Sequence, residues 1–251
     1  MRTISSCVLV LIFILSGCDE GGSFASAPPP GQSLGGIWLG IDSNGNEVAF
    51  ISTESGRFRW FADTGEQGFG TGSVNGTAVI LNYSQVAELG FTLFDGSVSA
   101  DCTATGTLQE RQTLTVTTNC TTDLDGTFSV FVSLTYQALY ERNSSLALIA
   151  GNYNDDSLVL NINADGVMFG QSPVTVCVVN GLVSIIDRNF NLYDVLLGFS
   201  SCVGRSEVLN GATFTGIATL DNTESPELLI VGVTAEPERV TLAITLALER
   251  L

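Results

Sequence analysis

Residues that alternate between apolar and polar along short segments are the feature that most limits the possible folds of this chain. In LVLNINADG, Leu158, Leu160 and Ile162 fall on one face of an extended strand, and Asn161 and Asn163 fall on the other. VTLAITLALER, at residues 240–250, alternates in the same way. Alternation with a period of two is typical of antiparallel strands with one buried face. We therefore predict an all-β fold, with a short helical turn expected only in YSQVAELG at residues 83–90.

Asn-Gly and Asp-Gly pairs provide candidate tight turns between these strands. They stand at residues 75–76, 165–166, 180–181 and 210–211. Asparagine and glycine tolerate the positive φ that short hairpin loops require.

The chain also repeats itself, and the matching segments occur in the same order in both copies. VAFISTESGRF matches LVLNINADGVM, SVNGT matches VVNGL, ATGTL matches FTGIA, and the copies end in ALYER and LALER. A common order of weak matches indicates a tandem duplication. We predict two antiparallel β repeats, each a small barrel or curled sheet of roughly six to eight strands.

Four of the six cysteines lie within the repeats, as Cys102 and Cys120 in the first and Cys177 and Cys202 in the second. Four cysteines permit three connectivities, and sequence alone does not choose among them. The spacing favours pairing within each copy, because the first pair is symmetric about Arg111 and the second about the polar run 187–192. Each bridge would contribute about 3 kcal/mol in the chain-entropy model.

The first 18 residues have the pattern of a bacterial export signal. Arg2 precedes an apolar run at residues 8–15, which is too short to span a bilayer. The following LSGC, at residues 15–18, resembles the bacterial lipobox, in which signal peptidase II cuts before a cysteine that carries diacylglycerol. The resemblance implies that Cys18 is a membrane anchor bearing several acyl chains, each buried methylene contributing about 0.8 kcal/mol. It also implies a place in the cell envelope, facing the periplasm, and leaves inner and outer membrane both open.

Composition and motifs together define the expected organisation of the chain. Residues 1–17 are the signal peptide, and residues 18–33, rich in Gly, Ser, Ala and Pro, are the acylated cysteine and a flexible spacer. The first β repeat covers residues 34–142, the junction residues 143–150, and the second β repeat residues 151–251.

The chain is strongly acidic, with 26 Asp and Glu against 9 basic residues and a formal net charge of −17. A surface of that sign repels phosphate, which argues against nucleic-acid binding and against anionic lipid headgroups. A basic protein or a cation suits it better, although an acidic surface also serves solubility alone.

The sequence lacks the residues of several common catalytic chemistries. It has no histidine and no lysine, which removes the usual general base, the common serine triad and Schiff-base chemistry. DSNGNE and TTDLDG carry spaced oxygen ligands of the kind calcium binds, but hairpin turns explain both runs better. Asp155 and Asp156 could serve a glycoside hydrolase, but neighbours on a strand point to opposite faces. We expect no catalytic site, no metal and no cofactor.

SGRFRWF, at residues 55–61, is the stretch most suggestive of a binding surface. Arg57 and Arg59 fall on one strand face, and Phe58 and Trp60 on the other. Two readings are open: solvated arginines over buried aromatics, or a recognition edge of Arg57, Arg59 and Trp60, since Arg and Trp are enriched in interface hot spots. The stretch is similar to the Ser-Gly segment of periplasmic lysozyme inhibitors, although the tyrosine expected after that glycine is absent.

Three classes of function fit these observations. The first is a noncatalytic lipoprotein that recognises another envelope protein, with inhibition of or immunity to a basic, lysozyme-like hydrolase as its role. The second is a lipocalin-like carrier, whose barrel holds one small apolar molecule. The third, ranked last, is a carboxylate-dependent glycoside hydrolase. A transmembrane barrel, which alternation alone allows, fits poorly with a lipobox. Oligomeric state and partner identity are not set by the sequence.

Overall fold

The computed structural model describes residues 32–223, 225–235 and 241–251. The predicted signal peptide, Cys18 and most of the spacer lie outside these described residues. Within them, sixteen strands form two closed antiparallel barrels of eight strands each, which confirms the all-β prediction and the two tandem repeats. In the same residues, no helix has the length and apolar character needed to cross a membrane.

Barrel 1 is built from the first eight strands in simple up-and-down order, and the first strand pairs with the eighth to close it. Its strands are β1 (Gly36–Asp42), β2 (Glu47–Ser52), β3 (Arg57–Ala62), β4 (Glu66–Asn75), β5 (Ala78–Ala87), β6 (Ser99–Gln109), β7 (Thr113–Thr122) and β8 (Thr127–Gln137).

Barrel 2 repeats this order with shorter strands at its start, and β16 pairs with β9 to close it. Its strands are β9 (Gly151–Asn154), β10 (Val159–Ile162), β11 (Val167–Gln171), β12 (Val178–Ile185), β13 (Tyr193–Ser200), β14 (Thr213–Asp221), β15 (Leu228–Ala235) and β16 (Leu242–Arg250). Its inward side chains form one continuous buried cluster.

Three local predictions were wrong. The Asn180-Gly181 pair lies inside β12, where it forms ladder pairs with both neighbouring strands instead of a turn. The residues of YSQVAELG up to Ala87 belong to β5 and form no helical turn. ALYER includes a 3-10 turn at Ala138–Glu141, whereas LALER is the end of β16, so these two endings are not structurally equivalent.

Both disulfides join cysteines of the same barrel, as predicted. Cys102 and Cys120 bond directly across the β6–β7 pair, whose hairpin turns at Arg111 with a φ of 54°. Cys177 and Cys202 connect the loop before β12 to the loop after β13.

The two barrels lie against each other along an apolar patch, which we call the barrel interface. Barrel 1 contributes Ile37, Ile51 and Phe61 from the outer faces of β1 to β3, and barrel 2 contributes Leu192 and Ile217. The connection between barrels joins this patch through the fully buried Tyr140, whose ring stacks on Phe190 with centroids 4.5 Å apart. Phe61 packs directly over Gly232 on β15, where a Cβ atom would overlap the aromatic ring.

Polar contacts near Phe61 also reinforce the barrel interface. The Arg59 guanidinium donates to the carbonyl of Thr215 at 2.6 Å and to Thr234 Oγ1 at 3.0 Å. Further along, Gln67 Nε2 donates to Thr245 Oγ1 at 3.1 Å, and the Thr245 backbone N–H donates to Glu88 at 3.2 Å. Apolar burial and these cross-barrel hydrogen bonds together join the barrels into one compact unit.

Candidate ligand-binding site

Barrel 1 contains a cavity of about 400 Å³ that opens at one end of the barrel. This volume falls in the range of about 300 to 1,000 Å³ typical of small-molecule sites. The strands β4 to β8 are 10 or 11 residues long, so the barrel is tall, and the small side chain of Ala104 leaves its middle open. The deep wall is apolar and consists of Val48, Phe50, Leu81, Ala104, Leu114, Val116, Val132 and Leu134.

The other end of barrel 1, where β1 begins, is closed. Trp38 is fully buried there and packs with Leu34 and Leu108 in the same apolar cluster that continues into the cavity wall. The Trp38 indole N–H donates to the carbonyl of Leu34 at 3.3 Å, which satisfies its only polar group. The cavity therefore has a floor at this end and a mouth at the opposite end.

Trp60 crosses the upper part of the cavity from β3. Its indole lies over Gly68 of the neighbouring strand, where any Cβ atom would overlap the ring, so only glycine leaves it room. The Trp60 ring meets the ring of Tyr83 edge-on, with centroids 6.1 Å apart. The Tyr83 hydroxyl is in turn hydrogen-bonded to the Thr118 hydroxyl. This part of the wall is therefore aromatic, and these two hydroxyls satisfy each other.

The mouth of the cavity carries two carboxylates, Asp42 and Glu66. Asp42 is held in the β1–β2 turn, where the backbone N–H groups of Asn44 and Asn46 donate to it at 2.7 and 2.9 Å. Glu66 accepts a hydrogen bond from Gln85 Nε2 at 2.8 Å. No arginine in the described part of the chain lines the cavity or forms an ion pair with either carboxylate.

The amide oxygen of Gln85, in the cavity wall, accepts no hydrogen bond from the described part of the chain. Its side chain is only 3% exposed, and its amide oxygen lies 3.7 Å from each sulfur of the Cys102–Cys120 disulfide. A disulfide sulfur carries no hydrogen, so neither contact is a hydrogen bond. Among the described residues, this buried oxygen therefore has no hydrogen-bond donor, a condition that costs roughly 1 to 3 kcal/mol.

The long β5–β6 loop, at residues 88–98, covers part of the mouth. Its Leu93 is buried against the Cys102–Cys120 disulfide, and Asp95 accepts a hydrogen bond from Thr122 at 2.6 Å. Phe94 is 68% exposed and meets Phe128 edge-on at the rim, with ring centroids 5.3 Å apart. The loop is thus fixed at two points and presents an aromatic side chain to solvent beside the opening.

The two carboxylates at the mouth titrate differently. Burial and the charge of Asp42 raise the pKa of Glu66, and the hydrogen bond from Gln85 opposes this only in part. Burial would also raise the pKa of Asp42, but hydrogen bonds from Asn46 and Asn44 outweigh it and hold that pKa below its usual value. Burial raises the pKa of Tyr83 to about 12, so Tyr83 stays neutral. Asp42 is therefore the negatively charged group that opposes ionisation of Glu66.

Replacing Glu66 by glutamine should stabilise the ligand-free protein at neutral pH. The pKa of Glu66 is raised in the folded state, so protonation of Glu66 stabilises the fold. This stabilisation is fully present at pH values below the usual glutamate pKa of 4.5, and it is lost as the pH rises through the raised pKa of the folded state. Urea unfolding at several pH values should show that the free energy of unfolding of Glu66→Gln increases relative to that of the wild type as the pH rises from 4 to 7. A constant difference between the two proteins over this pH range would contradict the prediction.

The structure separates the three predicted recognition residues. Arg57 forms an ion pair with Asp194 of barrel 2, and Arg59 is 6% exposed at the barrel interface. Burial, together with the charge of Arg57, lowers the pKa of Arg59 to about 10. The predicted strand faces were correct, but the arginine face is covered by the second barrel instead of forming a free edge. Trp60, on the opposite face, lines the cavity.

Sequence reasoning missed Glu66, Gln85 and the mouth loop. Glu66 and Gln85 sit at inward positions of β4 and β5, where the alternation pattern would place apolar residues. A polar residue at an inward position is itself a signal, because a barrel buries such a group only where it is paired or used. No model of a known protein family matches the chain, and no curated protein matches it.

Proposed function

We propose that this protein is a noncatalytic carrier that binds one small apolar molecule in barrel 1, tethered to the cell envelope through Cys18 and facing the periplasm. The observation that carries this proposal is the cavity of about 400 Å³, closed by the Trp38 floor and open beside Glu66. A barrel that served only as a scaffold would gain by filling this space, since close packing of a core is favourable. The carrier therefore ranks above the protein-binding role that composition alone favoured.

The chemistry of the cavity wall supports binding over catalysis. Below the mouth, the wall is aliphatic and aromatic, and its Tyr83 and Thr118 hydroxyls already bond to each other. A sugar in a hydrolase site needs several hydrogen-bonding partners, and such a wall offers it few. An apolar chain, by contrast, gains about 25 cal/mol for each Å² that it buries.

Filling the cavity should abolish binding without unfolding the protein. Ala104 lies midway along the wall, so Ala104→Phe would place a ring in the empty space, which costs little because the cavity already exists. We expect titration with an uncharged phenylnaphthylamine fluorophore to give saturable binding to the wild type and at least tenfold weaker binding to Ala104→Phe. The chain has two tryptophans, Trp38 in the floor and Trp60 in the cavity wall. A Trp60→Phe variant gives the fluorescence of Trp38 alone, and the difference from the wild type gives that of Trp60. A change in Trp60 fluorescence on titration shows that the ligand enters the cavity.

Thr105→Phe is the matched control, because residue 105 is the next position on β6 and its side chain is exposed. It adds the same ring to the outer surface and should leave binding unchanged. Equal binding by Ala104→Phe, Thr105→Phe and the wild type would place the fluorophore elsewhere and refute the carrier.

Recognition of an envelope protein is the second candidate, and exposed apolar side chains near the mouth favour it. Phe91, Phe94 and Leu124 are all more than half exposed, and such side chains at one end of a barrel are typical of a contact surface. Native mass spectrometry of the lipidated protein, extracted gently from its own envelope, separates the candidates. A bound mass of a few hundred daltons beyond the anchor lipid supports the carrier, and a protein-sized mass supports a partner.

A further inference from the structure

We propose that the cavity selects molecules with a protonated amine at the head of an apolar chain, and that Glu66, Gln85 and Asp42 hold that amine at the mouth. The inference rests on the proposed carrier function and adds the chemical class of its ligand.

The first support is an uncompensated negative charge in a partly buried place. Asp42 and Glu66 line one mouth, and among the described residues neither has a basic partner. Like charges at such a site disfavour each other, and an added cation relieves both the repulsion and the loss of hydration. An anionic head group would increase the repulsion, so fatty acids and phosphate esters fit this mouth poorly.

The second support is the unpartnered oxygen of Gln85, which is independent of the charges. Gln85 lines the cavity and donates its amide N–H to Glu66, and its amide oxygen lies 3.7 Å from each sulfur of the Cys102–Cys120 disulfide, which has no hydrogen to donate. The Gln85 oxygen can only accept a hydrogen bond, and the ionised carboxylate of Glu66 is likewise an acceptor only. A ligand that completes this site must therefore bring donors. An ammonium group has three donors and no acceptor, which matches a set of acceptors better than a hydroxyl group does.

The third support is the arrangement of polar and apolar surface along the cavity. The carboxylates and Gln85 are near the mouth, while the wall below them is apolar down to Leu114 and Leu134. A ligand with a charged head and an apolar tail can therefore place its tail in the cavity and its head at the mouth, where water still reaches it. An uncharged apolar ligand would bury its tail equally well but would leave the acceptors unpaired.

Three probes with the same tail and different heads test the proposal: decylamine, decanol and decanoate. Each is titrated at neutral pH, below its aggregation concentration, against the phenylnaphthylamine bound in the wild-type cavity. We expect decylamine to bind about tenfold more tightly than decanol, because charge-assisted hydrogen bonds are roughly twice as strong as neutral ones, and decanoate to bind most weakly. Lowering the pH to 4 should reduce decylamine affinity as Glu66 becomes protonated and leave decanol affinity unchanged.

The variant Glu66→Gln should weaken decylamine binding about tenfold and leave decanol binding unchanged. Glu47→Gln is the matched control: Glu47 lies at the same end of barrel 1 but is exposed and does not line the cavity. It removes one negative charge without touching the site and should change neither probe. Equal losses in both variants would show that general attraction to an acidic protein explains the preference, and would overturn the amine site.

Failure of the inference and failure of the carrier function are distinguishable. If decanol or decanoate binds as tightly as decylamine and Ala104→Phe still blocks all three, the amine selectivity is wrong and the carrier stands. If no probe displaces phenylnaphthylamine and none binds the wild type, both the amine selectivity and the carrier function are wrong.

Discussion

Replacing Gly232 by valine should lower the melting temperature of the protein by about 4 to 8 °C, through a loss of about 2 kcal/mol at the barrel interface. A Cβ atom at Gly232 would overlap the ring of Phe61, which is packed between the two barrels and cannot move into solvent without exposing its neighbours. The barrels must then separate slightly, which also lengthens the hydrogen bonds from Arg59. Differential scanning calorimetry measures the shift, and small-angle X-ray scattering should show a more extended particle.

Gly198→Val is the matched control, because it makes the same substitution at a position of β13 where the nearest atoms to an added Cβ are 4.0 Å away. It should leave the melting temperature nearly unchanged. The double variant Gly232→Val, Phe61→Ala should lose less than the two single losses combined, because shortening residue 61 removes the overlap. Additive losses, or a Gly232→Val protein as stable as the wild type, would mean that Gly232 and Phe61 are not in contact.

Removing the Cys102–Cys120 disulfide by replacing both cysteines with alanine should cost about 3 kcal/mol of stability and also speed ligand exchange. The stability loss follows from the 18 residues that the bridge separates, since the released chain gains freedom when unfolded. The effect on exchange follows from position: Leu93 of the mouth loop packs on this disulfide, so its loss loosens the loop. Urea unfolding gives the first quantity, and stopped-flow displacement of phenylnaphthylamine gives the second.

Removal of Cys177–Cys202 is the comparison, because that bridge closes a similar span of 25 residues in barrel 2, away from the cavity. It should cost about as much stability, again about 3 kcal/mol, and leave ligand exchange unchanged. If both double variants speed exchange equally, the effect comes from general destabilisation and the mouth loop has no special role.

The barrel architecture could be read from the sequence because period-two alternation and glycine turns are local signals. The same reading failed at Asn180-Gly181, because turn residues also occur inside a strand when both neighbouring strands pair with it. Cysteine spacing succeeded because a hairpin sets equidistant residues opposite each other, and Arg111 occupies that midpoint. Local sequence patterns therefore predicted structure correctly where it depends on a single hairpin, as for the Cys102–Cys120 pair. They failed where it depends on pairing with both neighbouring strands, as at Asn180-Gly181.

The site was harder to predict than the fold because a hollow barrel and a filled one share the same alternation. Ala104 and Leu114 read as ordinary core residues, and only the packing of all eight strands shows that space remains between them. For Arg57 and Arg59 the strand face was predictable, but the presence of the second barrel over that face was not. Contacts between residues more than 130 positions apart leave no local trace in the chain.

Closure of each barrel between its first and last strands also governs how the chain folds. Ile37 pairs with Gln137, so the outer edge of β1 stays unpaired until β8, the last strand of the first repeat, is in place. Pairings this distant in sequence make folding slow, and an uncovered edge strand invites pairing with other chains. Because each barrel closes within its own repeat, barrel 1 can close before the second repeat has folded. The time during which an edge is exposed is then limited to one repeat at a time, and docking of the two barrels is the final step.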